Sequence, residues 1–158
     1  MVRFKNRYLV FEITPTNSGQ MDPLNPYMLN STDLYHAVMD VVEQIHGEFG
    51  AAAVNNGIDA KYCNEHTRMA VLRVRHGPHR LVSSSLPFLK KIGNRTVVLH
   101  SLYTGATLNK CFKFIKAFQK ERLNQLLQLC KTETQREKLV TAMSNYGDFE
   151  AANKMIEK

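Results

Sequence analysis

The segment RFKNRYLVFEI, Arg3 to Ile13, constrains the fold more than any other stretch of the chain. On the two-residue repeat of a strand, Tyr8 and Val10 point to one side and Leu9, Phe11 and Ile13 to the other. Both faces therefore carry apolar groups, as expected of a strand inside a sheet that is covered on both sides. A chain of 158 residues, 44% of them apolar and 22% charged, is long enough to bury such a sandwich in one domain. The same composition argues against wholesale disorder. No apolar run approaches the ~20 residues of a membrane span. The basic start, Met1 to Tyr8, is not followed by the apolar region and cleavage site of a secretory signal.

After a loop through Pro15, Gly19, Pro23 and Pro26, the pattern changes to a helical one. Ser31 or Thr32 is placed to cap a helix running to about His46, with Asp33 in its first turn. Leu34, Val38, Val41, Val42 and Ile45 form its apolar face, and Gly47 is the expected stop. Ala51–Cys63 and Thr67–Arg75 read as two strands joined by a turn at Asn64–His66. In the second, Ala70, Leu72 and Val74 alternate with Met69, Val71, Arg73 and Arg75. A short helix kinked at Pro87 is expected over His79–Lys91, then a strand over Thr96–Leu102 and a long helix from about Thr107 to Cys130. Another helical stretch covers Glu133–Asn145. The order strand, helix, strand, strand, helix, strand is the split βαβ pattern of ferredoxin-like and RNA-recognition folds, an α+β sandwich with an antiparallel sheet. Residues 1–145 would form this single domain, with added C-terminal helices, and 146–158 a tail. Because the first strand is apolar on both sides, the long helix should cover part of the second sheet face.

The formal charge of +7 is unevenly spread. Residues 1–65 hold 4 basic and 8 acidic side chains, whereas 66–120 hold 11 Lys and Arg and no carboxylate. Residues 121–158 hold 6 of each. Four of the six histidines also fall in the middle window. A stretch of this length without an acid points to a polyanionic partner, most simply a nucleic acid; a solvated basic face is the alternative. On the long helix, with Lys110 at zero, Lys113, Lys116 and Lys120 fall at about 300°, 240° and 280°, apart from an apolar face between about 80° and 220°. No acid occupies its first turns, where one would favour the helix dipole, so an external anion would stabilise that end. The preceding Leu102–Thr107, LYTGAT, supplies Gly105 for a tight strand-to-helix turn and Thr107 as a cap.

The same residues argue against independent catalysis. Two-metal nuclease chemistry needs clustered carboxylates, and the acids here are scattered singly. His76 and His79 make an HxxH, but Gly77 and Pro78 between them exclude the helical spacing of a zinc site. Cys63, Cys111 and Cys130 lie far apart with no CxxC, which suggests core thiols in a reducing compartment. An acylphosphatase-like reading lacks the anion-holding Arg after the first strand, since Thr14–Gln20 contains none. Base stacking of the usual RNA-recognition kind is also absent, because Met69, Val71, Arg73 and Arg75 include no aromatic residue. Contact with phosphates and RNA shape remains.

Four segments resemble the Pop-five subunit family of ribonuclease P and ribonuclease MRP. They are Met1–Tyr8 (MVRFKNRY), 46–53 (HGEFGAAA), 61–64 (KYCN) and 102–111 (LYTGATLNKC), collinear over about residues 1–130. The chain departs from the family's pattern at the long helix, where Ala106 and Asn109 replace a Gly and an Arg and Lys110 follows. The resemblance implies an RNA-recognition-like sandwich and a non-catalytic subunit of nuclear and nucleolar ribonucleoprotein enzymes. The RNA would carry the active site and its Mg²⁺, with no cofactor on this chain. The resemblance further implies ribonuclease P RNA, MRP RNA and a TIM-barrel protein subunit as partners. Precursor tRNA, cut at its 5′ leader, would be met indirectly, and precursor rRNA by the MRP form. The expected RNA-binding residues are Arg3, Lys5, Arg7, Arg73, Arg75, Gly105, Thr107, Lys110, Lys113 and Lys116, with no catalytic or metal-binding residue. The competing class is an interaction module whose basic surface meets an acidic protein; an autonomous Mg²⁺-dependent nuclease is a third, weaker reading.

Overall fold

The computed structural model describes residues 4–16, 30–64 and 67–129. Its elements are β1 (Asn6–Pro15), α1 (Ser31–Asn55), β2 (Asp59–Asn64), β3 (Met69–Arg75), α2 (His79–Ser85), a 3₁₀ turn (Leu86–Phe88), β4 (Lys91–Ile92), β5 (Arg95–Gly105) and α3 (Leu108–Leu129). The five strands form one sheet in the order β2-β3-β1-β5-β4, every neighbouring pair antiparallel. This is the split βαβ arrangement with a two-residue strand added at one edge. The chain comprises two compact units, Met1–Phe114 and Ile115–Lys158.

The apolar pattern of β1 places it at the centre of the sheet. Leu9, Phe11 and Ile13 pack with Ala70, Leu72 and Val74 of β3 and Val97 and Leu99 of β5. Leu34, Val38, Val42 and Val54 of α1 and Val82 of α2 close this core from above. Burial of each such aliphatic or aromatic side chain contributes ~1.5–3 kcal/mol, so this layer dominates the stability. On the opposite face Val10, Met69 and Val71 are also buried. The first turns of α3 lie there: Phe112 meets Tyr62 edge-on at 5.6 Å, and Phe114 stacks on Tyr103 at 4.8 Å. The sheet is covered on both sides, as the sequence of β1 requires.

Four expectations need correction. Residues 51–55 are helical, so the strand expected over Ala51–Cys63 begins only at Asp59. Gly47 does leave the helical conformation (φ 67°, ψ −173°), but α1 resumes beyond it to Asn55. Gly50 packs against the Cβ of His46, a close approach that a side chain on Gly50 would prevent. Asn30, rather than Ser31 or Thr32, caps α1: its Oδ1 accepts from the Thr32 backbone N–H at 3.1 Å. The helix expected over His79–Lys91 gives way at Pro87 to the 3₁₀ turn and then to β4. β4 and β5 make a tight hairpin around Gly93, whose φ of 56° suits a residue without Cβ. The helix expected over Glu133–Asn145 and the tail from 146 lie outside the described residues.

Candidate nucleic-acid interface

Sheet register brings distant basic residues to one end of the fold. Tyr8 of β1 pairs with Arg73 of β3 on one side and with Gly105 of β5 on the other, and Asp59 of β2 pairs with Arg73. Asp59, Arg73, Tyr8 and Gly105 therefore form one cross-strand row. The next row begins with Arg75 opposite Asn6. Arg73 and Arg75 alternate with the buried Leu72 and Val74 of the α1 side, so they share the sheet face on which α3 begins.

Gly105 is buried and fixes how α3 leaves the sheet. A Cβ there would stand 2.6 Å from Cys111 Sγ, 3.0 Å from Tyr103 Cε1 and 3.3 Å from the Thr107 carbonyl oxygen. Thr107 is the cap residue, its carbonyl accepting from Cys111 N at 3.3 Å. Cys111 Sγ lies 3.8 Å from the Tyr8 carbonyl oxygen, tying the helix to the central strand. Burial pushes the Cys111 thiol up to about 11, and the Gly105 backbone pulls it slightly the other way. Cys63 is likewise pushed up to about 11 by burial. Both thiols are thus protonated at neutral pH and poor nucleophiles. Thr107, Lys110 and Lys113 are exposed, as is Lys116 in the second unit.

The arginines are held more firmly than the lysines. Arg73 Nη2 is 3.7 Å from Asp59 Oδ2, and Lys61 Nζ is 2.6 Å from the same oxygen. Such part-exposed pairs contribute only ~0–1 kcal/mol, so they orient Arg73 without neutralising it strongly. Arg73 Nε is buried without a hydrogen-bond partner. The Arg75 guanidinium sits 4.5 Å from the centre of the Phe4 ring, a cation–π contact at a residue whose ring is 70% exposed. Arg7 is half-buried on the opposite sheet face and donates through Nη1 to the Asn6 carbonyl at 3.1 Å. Lys5 is exposed, and its carbonyl accepts from His76 N at 2.8 Å. Arg3 lies outside the described residues.

Two groups at this end were not among the expected site residues. His76 and His79 stack at 5.2 Å with 26° between their rings, and Arg80 is exposed beside them. The HxxH was visible in the sequence, but the turn that stacks the two rings was not. Asp59 was invisible as a partner of Arg73 because their pairing depends on register across two strands. Among the described residues, no three His, Cys, Asp or Glu side chains gather where they could hold a metal ion. No described helix is long and apolar enough to cross a membrane. A separate cleft of about 780 Å³ between α1 and the β4 turn is lined by Asp33, Asp40, Ile45, Phe88, Lys90 and Lys91.

An α+β sandwich of RNA-recognition type, with basic strand ends beside a lysine-bearing helix start, is the class that fold and site define. Within that class the chain belongs to the Rpp14/Pop5 family, whose model it matches over residues 7–116. It is 37% identical over 141 residues to the Bos taurus ribonuclease P/MRP protein subunit POP5, covering 87% of this chain and 80% of that protein. The Homo sapiens subunit of the same name is 36% identical over 141 residues, covering 87% and 83%. A chain in a cryo-EM structure of yeast ribonuclease MRP is also similar, with a TM-score of 0.47 and 13% identity over 78% of this chain and 96% of that one.

Proposed function

We propose that this chain is a non-catalytic protein subunit of ribonuclease P, shared with ribonuclease MRP, that contacts the phosphates of a folded RNA and supports its catalytic domain. The carrying observation is the cross-strand register that sets Arg73 and Arg75 on the face where α3 begins with Lys110 and Lys113 exposed. The acid-free window of the sequence supplies every one of these charges, so no carboxylate from it competes for them. Lys5 precedes β1 and Arg7 lies on the other face of the sheet at that same end, and Lys116 lies further along α3. Gly105 and Thr107 act through the backbone by setting the entry of that helix.

Membership of a family whose relatives are ribonuclease P/MRP subunits supports the enzyme assignment. On this reading the RNA binds the Mg²⁺ and performs the cleavage of precursor tRNA and precursor rRNA. The partners are the ribonuclease P and MRP RNAs and a TIM-barrel protein subunit, and the site of action is the nucleus and nucleolus. If about five cations each neutralise one phosphate, the logarithm of RNA affinity should fall with log salt at a slope of roughly −4. Fluorescence anisotropy with ribonuclease P RNA between low and moderate salt measures this. A slope near zero overturns phosphate contact. Replacing Lys110, Lys113 and Lys116 together by Ala should weaken binding to several folded RNAs alike; loss for one sequence alone contradicts the reading. In a pulldown, a partner that survives ribonuclease and leaves no bound RNA would favour an acidic protein instead.

A further inference from the structure

The turn between β3 and α2 places titratable groups beside fixed cations. His76 and His79 stack at 5.2 Å, and the Gly77 backbone N–H donates to His79 Nδ1 at 3.1 Å. In that arrangement Nδ1 must be an unprotonated acceptor, so the neutral ring carries its hydrogen on Nε2. Gly77 has φ 107°, a conformation that a side chain would resist, so the turn geometry depends on glycine. Just before β1, Lys5 is tied to the turn through the 2.8 Å bond between its carbonyl and His76 N, and the charge of Arg7 in β1 acts on His79. Arg75 ends β3, and Arg80 follows His79 on α2. In the part of α1 beyond Gly47, Glu48 is the charged residue.

A proton on His79 would meet resistance in the free protein. It would convert Nδ1 into a donor facing another donor, the Gly77 N–H. Desolvation first, then the charges of His76, Arg7 and Arg80, already hold the His79 pKa below its ordinary 6.5. An oxyanion removes both objections. It accepts from Gly77 N–H and from the protonated ring together, and its charge offsets the surrounding cations.

We propose that the Gly77 turn is a proton-coupled phosphate site, in which His79, His76 and Arg80, with Lys5 and Arg7 beside them, receive a phosphodiester of the bound RNA. The proposal rests on the RNA-contacting role above and adds a specific site to it. Binding there takes up a proton. RNA affinity must therefore rise as pH falls through the interval between the pKa of His79 in the free protein, below 6.5, and its higher pKa in the complex. One proton limits the rise to about tenfold per pH unit.

The test uses the full chain and labelled ribonuclease P RNA, with affinity measured from pH 8.0 to 6.0 at fixed ionic strength. The wild type should gain about threefold or more in affinity over that range. His79→Asn keeps an oxygen to accept from Gly77 N–H but cannot take a proton. It should lose the rise, and so bind more weakly than the wild type at pH 6.0. The triple Lys110, Lys113 and Lys116 to Ala variant should bind more weakly at every pH and keep it. Equal pH dependence in the wild type and His79→Asn overturns the proposal. A flat wild-type profile with an intact salt slope overturns the site alone, and no salt dependence at any pH overturns RNA contact as well. As a check independent of substitution, the His79 imidazole signal in NMR should titrate at higher pH with RNA than without; an unmoved midpoint also overturns the proposal.

Discussion

Replacing Gly105 by Ala tests whether the start of α3 is set by close packing on the sheet. The added Cβ would stand 2.6 Å from Cys111 Sγ, about 1 Å short of the ~3.5–4.0 Å at which such atoms attract. Tyr103 Cε1 at 3.0 Å and the Thr107 carbonyl at 3.3 Å block movement in other directions. Cys111 is fully buried, and turning its side chain away would break the contact with the Tyr8 carbonyl. The backbone conformation itself is not at issue, since Gly105 is not among the glycines with positive φ. Overpacking of this kind costs ~1–3 kcal/mol. Removing Sγ by Cys111→Ala should cost ~1 kcal/mol alone, because one buried methylene-sized group is lost. In the double variant the two losses should not add: the alanine Cβ moves into the space that the sulfur vacates. Urea unfolding of the four proteins gives the cycle, with an expected favourable coupling of ~1–2 kcal/mol. A Gly105→Ala protein as stable as the wild type refutes the packing argument. So does a cost that Cys111→Ala leaves unchanged.

Gly47→Ala should destabilise by ~1–3 kcal/mol through the backbone alone, since φ 67° with ψ −173° is open to little but glycine and a Cβ there would touch nothing within 4 Å. Unchanged urea unfolding would show that the kink can straighten freely. The half-buried Cys63 and the buried Cys111 make a pH prediction. Their folded pKa values, about 11, lie above the ordinary 9.0, so the folded state holds its protons more tightly than the unfolded one. Stability should thus be full below about pH 9 and fall as pH rises towards about 11, less steeply in a Cys63→Ala/Cys111→Ala variant. At pH 7.5 iodoacetamide should leave Cys63 and Cys111 unmodified until urea is added; peptide mass spectrometry of native protein labelled at either position would contradict this.

The legible parts of the fold were those with strong periodicity. β1 and β3 state their two faces residue by residue, and the burial of Leu9, Phe11 and Ile13 against Ala70, Leu72 and Val74 follows that alternation. Residues 51–55 misled because AAAVN has no period, and because a glycine before it reads as the end of a helix. Alanine is the best helix former, and Gly47 changes the direction of the chain without ending the helix. β4 could not be read because two residues carry no pattern. In the site, the basic residues were legible as charge, but their neighbours were not. The row through Asp59, Arg73, Tyr8 and Gly105 depends on register between strands far apart in sequence. The stacking of His76 on His79 depends on one glycine conformation, and the HxxH pattern suggested only a metal to be excluded.

The central position of β1 also fixes an order of events during synthesis. Asn6–Pro15 leaves the ribosome well before its partners on either side, Met69–Arg75 and Arg95–Gly105. Until both arrive, a strand apolar on two faces has unpaired edges and nothing to cover it, the condition under which nascent chains associate wrongly. Closing the sheet is therefore a late and non-local step, and slow for that reason. The cross-strand row through Tyr8 cannot exist before it, since Arg73 and Gly105 meet only through this strand. A chain cut short before Gly105 would keep most of the basic residues and lack the surface that arranges them. Chaperone dependence, rather than weakened RNA contact, should then be the first sign of damage to this strand.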